Sequence, residues 1–229
     1  MRKILFFILL TSYALFADFL PNSMKTSVEK ISKNTIELGS NIPAGMSGII
    51  IHNYGNGLSA ITHSSISLGN GKASIEPYTA IVHKNIPDIQ TALSVGDQAV
   101  FGNFYDNALV IAPNQTAYQQ ITSKFKRTWI HPDAFALAFM QTEESHISMD
   151  SLAPFAKQNQ IGLVLLVTEN KLLVIDPISK KVIKSTGLKT NPNSAMTPFY
   201  ARFDQINLSL FNFSDRVYTP YFQSVAGIQ

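Results

Sequence analysis

The chain contains no cysteine among its 229 residues. That absence excludes thiol catalysis, disulfide staples, a lipid anchor on cysteine and the common thiolate zinc sites. Stability must come from packing. Catalytic signatures are missing too: there is no glycine-rich phosphate loop, no nucleophile elbow and no paired-histidine metalloprotease helix. Strong net charge is also lacking. The formal +3 falls to +1 once Arg2 and Lys3 leave with the N-terminal segment described next, so the sequence pI of 9.0 overstates basicity and nucleic acid is not expected as a partner.

Long apolar runs are scarce. At the N-terminus, Met1-Arg-Lys precedes an apolar run over 4–16 and the small residue Ala17. Basic start, short apolar stretch and small residue form a secretory signal peptide over 1–17, too short to span a bilayer comfortably. The mature chain is expected in the periplasm or on the outer surface, with no membrane span left after cleavage. Residues 18–34 are polar and weakly patterned, which predicts a leader that docks loosely or stays mobile.

Residues 35–112 read as a β subdomain. Gly48-Ile-Ile-Ile-His52 and Leu58-Ser-Ala-Ile-Thr-His63 flank a glycine-rich turn and predict a hairpin. Gly69-Asn-Gly71 makes another turn, 80–83 a further strand, 87–94 a crossover and Val95-Gly96-Asp97 a turn into the next strand. The series ends in Ala108-Leu-Val-Ile-Ala112. Short strands with glycine turns predict a small barrel or curved antiparallel sheet.

Residues 113–190 read as an α+β subdomain, giving an α+β protein. Asn114 after Pro113 suits a helix N-cap, with Tyr118, Ile121 and Phe125 on one face and Lys124, Lys126 and Arg127 at the helix end. Trp129, the single tryptophan, is expected in the corner before a second helix that begins at His131-Pro132-Asp133. Ser148 or Asp150 would cap a third helix with Leu152, Phe155 and Ala156 inward. The apolar runs 161–168 and 171–175 predict a hairpin buried on both faces, and Lys181-Val-Ile-Lys184 an edge strand guarded by lysine. Residues 191–229 carry Tyr200, Phe203, Phe211, Phe213, Tyr218 and Tyr221. Such a segment either packs its rings on the domain or presents them to a partner.

Candidate chemistry is thin. None of the five histidines has a second at helical ligand spacing. His131 with Asp133 is the best metal or acid–base pair, although capping explains both residues. Asp97, Asp106 and Asp176 stand beside turns, where turn chemistry accounts for them. Lysines 171, 180, 181, 184 and 189 form either a solvated edge or a patch for an acidic partner. No catalytic residue, cofactor or metal ligand is assigned.

Gly45-Met-Ser-Gly-Ile-Ile-Ile-His52, Val95-Gly-Asp97, Tyr105-Asp-Asn-Ala-Leu-Val-Ile-Ala-Pro-Asn114, Trp129-Ile-His-Pro-Asp-Ala-Phe135, Ile161-Gly-Leu163 and Val174-Ile-Asp176 follow one another in an order that resembles the N-terminal domain of bacterial plasminogen-binding surface proteins. The resemblance covers about 42–183. It implies an exported, non-enzymatic protein with a protein partner, host plasminogen. Plasminogen's kringle modules grip a lysine side chain together with a nearby carboxylate. The sequence closes on Gln229 rather than a lysine, so the expected contacts are the internal lysines Lys181, Lys184 and Lys189. A periplasmic envelope assembly or scaffold factor, using the aromatic segment on a protein partner, is the alternative.

Overall fold

The computed structural model describes residues 19–79, 91–142, 144–190, 194–203 and 219–228. Six antiparallel strands close into a barrel: β1 (Met24–Ser32), β2 (Thr35–Leu38), β3 (Ser47–Gly55), β4 (Leu58–Gly69), β5 (Lys72–Pro77) and β6 (Gln98–Phe101), in the order β1-β2-β5-β4-β3-β6. Two turns make the closure possible. Gly55-Asn56-Gly57 and Gly69-Asn70-Gly71 both place three residues in succession at positive φ, a conformation open to glycine and tolerated by asparagine. Val28, Ile36, Ile50, Ala73, Ala99 and Phe101 fill the interior.

A five-stranded sheet follows, in the order β11-β10-β9-β7-β8, from β7 (Asn107–Ile111), β8 (Thr128–Ile130), β9 (Leu163–Val167), β10 (Lys171–Asp176) and β11 (Lys181–Gly187). The β7 strand runs parallel to β8 and β9; β9, β10 and β11 are antiparallel. Helices α1 (Gln115–Thr122), α2 (Pro132–Met140), α3 (Met149–Gln158) and α4 (Tyr221–Val225) complete the α+β fold.

The central strands read as continuous apolar runs because both faces are covered. Ala108, Val110, Leu163, Leu165, Leu172 and Val174 belong to one apolar cluster with the barrel interior and with Ala117 and Ile121 of α1. Leu109, Ile111, Val164, Leu166, Leu173 and Ile175 pack on the other side with Phe135 and Phe139 of α2, Leu152 and Phe155 of α3, Phe199 and Tyr221. The barrel and the near face of the sheet therefore share a core.

Several local expectations hold. Asn114 accepts from Ala117 N at the start of α1, and Ser148 and Ser151 form a capping box on α3. The β9–β10 hairpin is buried as expected, and β11 is an edge strand.

Four readings are corrected. Residues 18–34 are not a loose leader, since Met24–Ser32 is a barrel strand paired with β2 and β6. Only Val28 is fully buried there, so a half-wet strand carries a polar sequence. The strand at 108–112 does not end the barrel series; β7 lies inside the second sheet. Trp129 stands on β8, paired with Ala108, rather than in a corner between helices. Lys124, Lys126 and Arg127 lie beyond α1 rather than in its last turn: the helix stops at Thr122 with Ser123 as C-cap, and Arg127 reaches Pro21 O at 3.2 Å and Asn22 Oδ1 at 3.0 Å.

The expected signal peptide, the strand at 80–83, the first half of the crossover at 87–94, and Phe211, Phe213 and Tyr218 lie outside the described residues. Phe199, Tyr200 and Tyr221 are buried, which fits rings covering a sheet face. Tyr221 Oη donates toward Ile111 O at 3.0 Å and Val167 O at 2.6 Å.

Candidate binding surface

The three lysines singled out from sequence are all exposed. Lys181 and Lys184 stand on β11, opposite Asp176 and Val174 of β10, and Lys189 follows the strand. Their settings differ. The Lys184 ammonium lies 5.3 Å from the centre of the Phe19 ring, a cation–π contact that holds its stem down. Lys181 packs its stem against Gly45, and neighbouring Lys180 pairs with Asp150. The geometry offers ammonium groups on a strand edge, suited to recognition by charge.

His131 and Asp133 are brought together, but for a structural purpose. His131 Nδ1 accepts the Asp133 backbone N–H at 3.2 Å and so caps α2. Asp133 Oδ1 accepts from Arg202 N at 2.8 Å and Oδ2 from Arg202 Nε at 2.7 Å, which ties the chain after Tyr200 to the start of α2. Both carboxylate oxygens are thus engaged. Among the described residues no group of three or more histidines and acids is placed to hold a metal ion.

Burial opposes ionisation of Asp133, but the Arg202 backbone N–H and guanidinium, aided by His131, outweigh it and hold its carboxyl below the ordinary 3.8. Burial likewise lowers His131 from 6.5, against the pull of Asp133. Groups whose folded values are depressed contribute stability above their unfolded values and lose it as pH falls through the folded ones. The melting temperature should therefore fall from about pH 6.5 downward as His131 protonates, and fall further below 3.8 as Asp133 does. Asp133→Asn should flatten the lower limb. Its cost at neutral pH should be small, about 1 kcal/mol, because asparagine keeps one oxygen for the Arg202 backbone N–H and the bond it loses is to an exposed, screened guanidinium.

Asp97 serves its turn, accepting from Ser94 N at 2.8 Å, and also takes His52 Nδ1 at 2.7 Å. Asp176 does more than turn the chain. Its side chain is fully buried, with Oδ1 accepting from Ile178 N and Ser179 N, each at 3.0 Å, and Oδ2 from Ser47 N and Tyr105 Oη, each at 2.7 Å. Burial first, then the Asp176 charge and hydrogen bond, push the Tyr105 phenol far up, so it remains a donor. Ser179 Oγ also donates to Gly45 O at 2.6 Å. Around this joint only glycine fits: a Cβ at Gly162 would fall 2.4 Å from the Phe104 carbonyl carbon, and one at Gly48 2.6 Å from Val100 O.

Most of the short motifs from 45 to 176 thus converge where barrel and sheet meet. The family described as plasminogen-binding protein pgbA N-terminal matches residues 23–226. The chain belongs to this family. Two curated relatives, both named plasminogen-binding protein PgbA and from Helicobacter pylori strains J99 and 26695, are 22% identical over 144 residues, 62% of this chain. The chain spans about a third of their length, 32% and 31%. No solved structure matches the chain. The match covers the joint and the exposed lysines of β11 alike. Sequence reasoning missed Arg202 and the long-range role of Asp176; only the Asp-Pro turn signal pointed to the latter.

Proposed function

We propose that this chain is an exported, non-enzymatic binding protein, placed in the periplasm or on the outer surface, that captures host plasminogen through exposed lysines. Membership in the plasminogen-binding family carries the reading. The exposure of Lys181, Lys184 and Lys189 supports these residues as contacts. The engagement of both Asp133 oxygens supports a binding role over a reaction at that turn. No helix among the described residues is long and apolar enough to cross a membrane.

The chain should bind immobilised plasminogen, and a lysine analogue such as 6-aminohexanoic acid should displace it. Binding indifferent to the analogue would remove kringle recognition. External protease on whole cells should cleave a surface-exposed chain and spare a periplasmic one. The alternative, an envelope assembly factor docking by its aromatic segment, has fewer rings to offer because Phe199, Tyr200 and Tyr221 are committed to packing.

A further inference from the structure

β11 closes one side of its sheet, and among the described residues it pairs with β10 alone. Its other side is left unpaired by the described residues, with backbone N–H and C=O groups available to a further strand. The two faces beside that edge differ chemically. Lys181 and Lys184 share the face of Asp176 and Val174, and neither forms an ion pair with a described residue. Asp176, the carboxylate opposite Lys181, is buried and saturated by donors. On the other face, Thr168, Lys171, Leu173, Val182 and Ser185 line a hollow of about 140 Å³. Val182 is an exposed apolar side chain beside this hollow.

We infer that β11 receives an extended acidic segment of a partner protein as an added strand. The segment's backbone pairs with the outer edge, alternate carboxylates meet Lys181 and Lys184, and the intervening apolar side chains enter the hollow over Leu173 and Val182. Strand addition draws affinity from main-chain hydrogen bonds and specificity from sites for alternate side chains, and both are present here. Charge selects the occupant. Lysines opposite one another repel a second copy of the same strand, whereas carboxylates opposite lysines attract. The register shift between Val174 and Ile175 leaves Ile183 without a partner on β10 and brings Lys181 and Lys184, three positions apart, onto one face, so the segment must span the irregularity to meet both. This inference shares Lys181 and Lys184 with the proposed kringle contact but differs in mode: kringle binding requires the partner to receive a lysine side chain, whereas here the partner supplies a strand, which the N-methylated peptide tests separately.

The test titrates the ¹⁵N-labelled full chain with a short peptide alternating glutamate and valine. Amide shifts should change along β11 and around the hollow, and binding should weaken as salt is raised. The double variant Lys181→Glu/Lys184→Glu, checked for an unchanged melting temperature, should bind roughly tenfold more weakly or worse. A peptide N-methylated at alternate amides should not bind. Equal binding of the N-methylated peptide, shifts confined to other surfaces, no saturable binding, or self-association through β11 would each overturn the inference.

Discussion

Replacing Asp176 with alanine is expected to destabilise the protein by about 3–5 kcal/mol, because it leaves buried donors without an acceptor. Four groups lose their partner at once: Ser47 N, Tyr105 Oη, Ile178 N and Ser179 N. Two of them belong to the turn and two to distant parts of the chain, so the loss loosens the joint as well as the turn. Asn keeps the shape but turns one acceptor oxygen into an N–H₂ donor facing other donors, and Asp176→Asn should cost about 2–3 kcal/mol. Tyr105→Phe removes one donor and leaves the carboxyl three, for about 1–2 kcal/mol. Urea unfolding ranks the three variants. A cost below about 1 kcal/mol for Asp176→Ala would mean that water replaces the lost acceptor at the joint.

The second large effect concerns the shared core. Phe101 of β6 is fully buried and packs in the cluster that includes the near face of the sheet. Phe101→Ala should cost about 3–5 kcal/mol through lost transfer energy and the cavity left behind. Trp129, the sole tryptophan, stands on β8 of the other sheet and reports on that sheet by fluorescence. If barrel and sheet unfold as one unit, the Trp129 transition moves by the same amount as the barrel's backbone signal. An unmoved Trp129 transition would instead describe two units that unfold independently.

Local chemistry was legible from the sequence because it is short-range. Asn114 and Ser148 satisfy backbone N–H groups three residues on, and the apolar runs of β9 and β10 leave little choice but burial on both faces. Polarity misled where a strand has one wet face: Met24–Ser32 reads as a loose leader, yet it closes the barrel. Three residues are too few for a pattern, so β8 passed as a corner before α2. Long-range polar contacts leave no local trace at all. Asp176 meets Ser47 across 129 positions, and Asp133 meets Arg202 across 69. A turn signal and a cap signal explain each aspartate locally, which conceals its second role. The exposed lysines were legible as an edge-strand device, but their difference in setting, with Lys184 held over Phe19, comes from the N-terminal stretch folding back.

On this account the frame and the proposed working surface are different parts of the molecule: the Asp176 joint holds the shape, and the lysines on and just after β11 are the proposed contacts. The most direct measurement compares plasminogen binding by the parent chain and by Lys181→Ala/Lys184→Ala/Lys189→Ala, after matched melting curves establish that both are folded. The account predicts a loss of roughly tenfold or more, as expected when the charged contacts of an interface are removed. Undiminished binding by the triple variant would contradict it.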